Sequence, residues 1–129
     1  EDAGFKFEYH YRPTGETLRR IYASCGIYLC ASWYEGLGMP SMEAMACGAA
    51  LVTTDTGGSW DYAVDGKTAL VSQPRQPEQL ADNLTRVLND EVLRNRLAEN
   101  GCQKIREFSW EANSLRLEKL FKESLVESK

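Results

Sequence analysis

The chain has 129 residues, 43% of them hydrophobic and 26% charged, an ordinary globular composition for a single domain that excludes a disordered or fibrous chain. Its 15 basic residues scatter between Lys6 and Lys129 against 19 acidic ones, for a net charge of -4, so a long tract of nucleic acid is not the expected partner. Four cysteines without C-x-x-C spacing and a single histidine give poor prospects for zinc, and point to a reducing, cytoplasmic setting.

In chain order, FKFEYHY (Phe5 to Tyr11) alternates aromatic and polar residues before Arg12-Pro13 and predicts a strand. A helix follows from about Gly15 to Ser24, with Thr14 as N-cap and Leu18, Ile21, Tyr22 and Cys25 at helical spacing. IYLCA, Ile27 to Ala31, predicts a short strand whose unbroken apolar character suits a parallel sheet covered on both faces. SWYEGLGMP is a glycine-punctuated loop, and Pro40 is placed as the first residue of a helix that ends at Gly48.

Leu51 to Thr54 predicts a third strand, broken by Thr56, Gly57 and Gly58. A short helical turn around Ser59 to Val64, an Asp65-Gly66 turn and a TALV strand come next. After Pro74 and Pro77 the pattern is helical. Leu80, Leu84, Val87 and Leu88 define one core-facing row, and Val92, Leu93, Leu97, Ile105 and Phe108 a second, interrupted near Gly101. Ser109 caps a last helix carrying Trp110, Leu115, Leu117, Leu120, Phe121 and Leu125. The alternation of strands and helices is the α/β signature. No apolar run is long enough to span a bilayer, and the N-terminus lacks the layout of a secretion signal. The chain opens at Glu1 without methionine and runs straight into an element, as a piece of a longer protein would.

Chemistry concentrates between Tyr34 and Asp55, in YEGLGMPSMEAMACGAALVTTD. The loop leaves the strand IYLCA at the end where ligands sit in open α/β sheets, and enters a helix whose unpaired amides and positive dipole end favour an anion such as phosphate. Gly36 and Gly38 let the backbone approach a ligand closely. Glu43 has its Cβ tilted back toward the helix N-terminus. Beside a phosphate site its carboxylate suits a neutral, donor-rich group, and a ribose diol offers two hydroxyl donors to two carboxylate oxygens. Glu35, across the loop, can accept from a second polyhydroxylated group. A sugar joined through a diphosphate to a nucleoside meets all three demands.

The segment Glu35 to Val52, EGLGMPSMEAMACGAALV, resembles the E-x7-E segment of retaining glycosyltransferases of the GT-B fold, the "group 1" family. The likeness continues through TDTGGSWDYAVDGKTALV and the FSWE opening of the last helix, and upstream through LRRIYASCGIYLCAS, so it covers nearly the whole chain. It implies an α/β, Rossmann-like parallel sheet with flanking helices: the C-terminal half of a GT-B fold without its first strands. Residues 1–108 would be a partial nucleotide-sugar-binding domain, and 109–129 a helix crossing back toward an N-terminal domain outside this chain.

In functional terms, the resemblance implies Glu35 as the catalytic residue on the donor sugar and Glu43 on the ribose. Loop amides at Gly36, Leu37, Gly38 and Met39 would meet sugar and diphosphate. The implied reaction transfers a hexose from a nucleotide sugar with retention, and with no metal and no cofactor. The acceptor, a glycan or lipid-linked acceptor, would bind through the N-terminal domain, in polysaccharide biosynthesis, with the full-length protein cytoplasmic and at the inner membrane face. Ala31-Ser32 stands where relatives often have Pro-Ser, and Tyr11 where glycine is common near the base. Missing strands leave self-association of the chain open.

Plainer readings stand beside these. Glu43 can be a favourable acid in a helix's first turn, worth about 0.3–1 kcal/mol. Glu35 can be a solvated loop acid, and Gly57 and Gly58 can serve the turn alone. His10, Trp33, Tyr34 and Trp110 read as structural or packing residues. At the level of function, the alternative is a non-catalytic Rossmann-like module that binds nucleotide or a partner.

Overall fold

Three short parallel strands make up the sheet in this computed structural model, which describes residue 4 and residues 6–127. They are β1 (Ile27–Cys30), β2 (Ala50–Thr54) and β3 (Ala69–Ser72), side by side in chain order. Tyr28 lies opposite Leu51, and Leu51 opposite Ala69. All five residues of the central β2 are buried. Because side chains alternate along a strand, Ala50 and Val52 face one helical layer and Leu51 the other.

Helices α3 (Pro77–Asn89) and α4 (Glu91–Ile105) form the first layer, setting Leu80, Val87, Leu93 and Leu97 on Ala50, Val52 and Leu70. On the opposite face, α2 (Met39–Ala46) and the turn after Ser59 bring Met42, Met45, Tyr62 and Ala63 onto Leu51 and Ala69. Helix α1 (Gly15–Ser24) docks on α2 through Tyr22, beside Ala44 and Ala49. The fold is the expected α/β, Rossmann-like sheet with flanking helices.

Local chemistry accounts for most of the boundaries. Thr14 caps α1 by accepting from the Thr17 amide at 3.3 Å. Asp90 closes α3 and caps α4, accepting from the Leu93 amide at 2.9 Å. Pro77 opens α3 where no amide is needed. The Ser109 hydroxyl accepts from the Ala112 amide at 3.1 Å and starts α5 (Trp110–Glu127).

Several expectations are corrected. The segment expected as the strand Phe5 to Tyr11 joins no sheet over its described residues 6–11, and Phe5 lies outside the described residues. An alternating pattern becomes a strand only beside a hydrogen-bonding neighbour. β1 is an edge strand here, and Leu29 is 46% exposed, so the sheet does not cover it on both faces.

Gly101 does not interrupt α4. It lies buried inside the helix, where a Cβ would fall 3.2 Å from the Thr68 carbonyl oxygen and 2.9 Å from Cε of Met45. Its missing side chain permits close packing against α2. Leu88 and Val92 are exposed, because each sits at the solvent flank of its apolar row. β3 runs one residue later than the expected TALV strand, over Ala69–Ser72.

Helix α5 meets the body through the 3₁₀ turn Arg106–Phe108. Trp110, Leu117, Leu120, Phe121 and Leu125 are exposed along it. Lys119–Glu123 and Lys122–Glu118 pair at 3.7 and 2.6 Å on its charged side. Among the described residues no helix is long and apolar enough to cross a membrane.

Candidate functional site

The loop from β1 to α2 carries Glu35, and the second strand's loop holds it in place. The Glu35 amide donates to the Thr56 carbonyl at 3.1 Å, and Glu35 bridges Gly57 in parallel fashion. The Ser32 hydroxyl donates to Glu35 Oε1 at 2.7 Å, while the Thr54 hydroxyl donates to the Ser32 carbonyl. Thus a half-buried carboxylate is oriented by a side chain from its own loop, which is in turn tied to the end of β2.

Gly58 makes this contact possible. A Cβ there would lie 2.5 Å from the Gly36 carbonyl carbon and 2.8 Å from the Glu35 oxygen, and closer still to the Gly36 oxygen. The loop after β2 and the loop after β1 touch backbone to backbone. Gly57 and Gly58 therefore do more than shape a turn. The buried Thr56 hydroxyl beside them has no hydrogen-bond partner among the described residues.

Gly38 is the N-cap of α2, with φ 75° and ψ 48°, a left-handed conformation that glycine adopts without cost. Its carbonyl accepts from the Ser41 and Met42 amides at 3.0 and 3.3 Å and from the Tyr62 hydroxyl at 3.4 Å. Tyr62, 1% exposed, thus fixes the N-terminus of α2 from beneath. Leu37 and Met39 turn their side chains outward, and a Cβ added at Gly36 would meet nothing within 4 Å, so this backbone is open to approach.

Glu43 is exposed and lines a groove of about 290 Å³ between α1 and α2, with Gly15, Leu18, Arg19, Tyr22 and Cys47. Both acids act on the same phenol. Tyr28 is pushed up to about 12, chiefly by burial and then by the neighbouring charges of Tyr22, Cys30, Glu35 and Glu43. Burial also raises Tyr22, with Glu43 the next cause. Glu35 thus lies in the loop that enters α2 and Glu43 within α2, facing the groove toward α1.

Trp33 and Tyr34, expected as packing residues, are 62% and 83% exposed. Trp33 carries the Arg75 guanidinium over its ring at 4.8 Å, above a cleft of about 320 Å³ at the head of α3. Arg75 has φ 63°, a left-handed backbone unusual outside glycine. His10 faces Glu8 at 3.5 Å. The parts that Ser32, Thr54 and Gly58 play in holding Glu35 escaped sequence reasoning, which read Gly58 as a turn residue, since each acts through a partner 3 to 22 positions away in the chain. Among the described residues no three His, Cys, Asp or Glu side chains are grouped to hold a metal ion.

Residues 7–104 match the family described as glycosyl transferases group 1. The chain is 32% identical over 112 residues to an uncharacterized glycosyltransferase of Methanocaldococcus jannaschii, covering 87% of this chain and 32% of that protein. It is 36% identical over 109 residues to the D-inositol 3-phosphate glycosyltransferase of Corynebacterium jeikeium, covering 84% and 26%. Among solved structures, the C-terminal domain of a glycosyl transferase group 1 family protein (LpcC) from Francisella tularensis superposes with a TM-score of 0.69 at 31% identity. That match covers 78% of this chain and 51% of the other. The chain thus spans about a quarter to a third of the curated relatives' length.

Proposed function

Because the chain belongs to the glycosyl transferases group 1 family, we propose that it is the donor-binding part of a longer enzyme that transfers a hexose from a nucleotide sugar to a glycan or lipid-linked acceptor with retention of anomeric configuration. Glu43 accepts from the ribose hydroxyls, and Glu35 contacts the donor sugar. The amides from Gly36 to Met39 and the N-terminal end of α2 meet the diphosphate. Transfer needs no cofactor. The acceptor binds through a domain outside this chain, at the cytoplasmic face of a membrane.

One observation carries the reading: Glu35 is oriented by Ser32 in a loop open at Gly36, while Glu43, on the helix that this loop enters, lines a groove between α1 and α2. An anion held at that helix start would have Glu35 in the preceding loop and Glu43 about one turn further along the helix. This is the layout that a sugar, a diphosphate and a nucleoside joined in a row require.

The test is a titration of this chain with nucleoside diphosphates and the matching nucleotide sugars. Glu43→Ala is expected to weaken nucleoside diphosphate itself by roughly tenfold or more, the range for hydrogen bonds to a charged group. Glu35→Ala is expected to leave nucleoside diphosphate unchanged and remove only the added affinity of the sugar. Equal and negligible effects of both would favour a non-catalytic module.

A further inference from the structure

Two opposite charges line the groove between α1 and α2 and do not meet. Glu43 stands on one wall and Arg19 on the other, both exposed, in a space of about 290 Å³. Among the described residues the ion pairs are His10–Glu8, Lys104–Glu107, Lys119–Glu123 and Lys122–Glu118, and neither Arg19 nor Glu43 enters one. Their side chains make no hydrogen bond there either. Between them the groove is apolar, with Leu18 and the buried ring of Tyr22, itself held edge-on by Tyr28 at 5.7 Å between ring centres. At the mouth, a Cβ on Gly15 would meet nothing within 4 Å.

Such a groove fits a ligand that carries hydroxyl donors at one end, a flat apolar face in the middle and acceptors at the other end. We propose that it takes the guanine nucleoside of a GDP-linked donor, with Glu43 on the ribose hydroxyls and Arg19 reading the O6 and N7 edge of the base. This rests on the donor-site reading above and adds to it the base and the residue that selects it.

The selection follows from donor and acceptor chemistry. A guanidinium has only donors, arranged as a fork, and is satisfied by two adjacent acceptors. Guanine presents O6 and N7 side by side. Adenine places an amine donor where guanine has O6, so donor would face donor, and a uracil or thymine offers the single acceptor O4 on the corresponding edge. Leu18 and Tyr22 supply the apolar surface for the face of the ring without discriminating among bases.

The experiment titrates this chain with GDP, inosine 5′-diphosphate, ADP and UDP, in wild type, Arg19→Ala, Arg19→Lys and Glu43→Ala. GDP and inosine 5′-diphosphate share O6 and N7 and are expected to bind at least about fivefold more tightly than ADP and UDP, the lower end for a bidentate base contact. Arg19→Ala is expected to bring the four to nearly equal affinity. Arg19→Lys, which keeps the charge and loses the fork, should erase most of the preference, and Glu43→Ala should weaken all four alike. ADP or UDP binding as tightly as GDP, or a guanine preference that survives Arg19→Ala, overturns the inference. The donor-site reading still stands in that case if Glu43→Ala weakens every nucleotide. Absence of binding by all four, or indifference to Glu43→Ala, overturns both together.

Discussion

Gly58→Ala is the sharpest test of the geometry, because Gly58 has no positive φ and the substitution therefore acts by contact alone. Its new methyl would lie 2.5 Å from the Gly36 carbonyl carbon, inside the 3.0 Å below which real Cβ atoms essentially never approach. The Gly36 oxygen lies closer still, so the two loops must part by more than the 3.0 − 2.5 = 0.5 Å that the carbonyl carbon alone demands, and neither neighbour is a flexible side chain that can swing aside. Overpacking of this kind costs about 1–3 kcal/mol. Parting the loops also strains the 3.1 Å bond from the Glu35 amide to the Thr56 carbonyl, whose net worth is about 1 kcal/mol. A destabilisation of about 2–4 kcal/mol is expected, within the 5–15 kcal/mol that a domain typically holds in reserve. The variant should stay folded with Glu35 displaced. Urea unfolding reads the first effect, and titration with a nucleotide sugar the second. Gly36→Ala is the control: its φ is not positive and its Cβ meets nothing within 4 Å, so its stability should change by less than about 0.5 kcal/mol. A Gly58→Ala protein that unfolds at the wild-type midpoint would show that the two loops do not touch as described.

Other perturbations probe different parts of the same frame. Gly38→Ala combines a left-handed φ of 75° with a methyl 2.5 Å from the Tyr62 hydroxyl, and should lose about 1–3 kcal/mol by urea unfolding; Gly38→Ala with Tyr62→Phe should recover part of the loss by removing the clashing oxygen. Thr56→Val replaces an unpartnered buried hydroxyl by a methyl of similar size, and the midpoint should hold or rise, with a gain of up to about 1 kcal/mol. Leu97→Ala opens a fully buried site against β2 and should cost about 2–5 kcal/mol. Tyr28 and its buried neighbours Tyr22 and Tyr62 are raised above the ordinary phenol value of 10.0, so the unfolded chain ionises first; stability should be full below pH 10.0 and fall as the pH rises toward about 12. Tyr28→Phe should flatten that alkaline decline in urea midpoints taken at successive pH values.

Much of this architecture was legible along the chain, for local reasons. The helices from Gly15 and Pro77, the caps at Thr14 and Ser109 and the strands around Leu29, Val52 and Leu70 follow from apolar period, proline placement and hydroxyl caps. The loop from Glu35 to Met39 stood out as a candidate site because glycines, an acid and a helix start coincide after a strand. Leu88 and Val92 misled because an apolar row has flanks, and the period alone does not say how far around the helix its cover extends.

What sequence alone determined, then, was the type of every element from α1 onward and the place of Glu35 in the loop that enters α2. Only the tertiary structure decided that residues 6–11 join no strand, that Gly101 is a packing contact within an unbroken α4, and that Gly58 rests on Gly36. Each of these depends on a neighbour distant in the chain. A strand needs an adjacent edge, a missing side chain matters only against what would fill its space, and a carboxylate is oriented only by the hydroxyl that meets it. Periodicity and capping are written within a few residues, whereas these contacts exist only after the chain has closed upon itself.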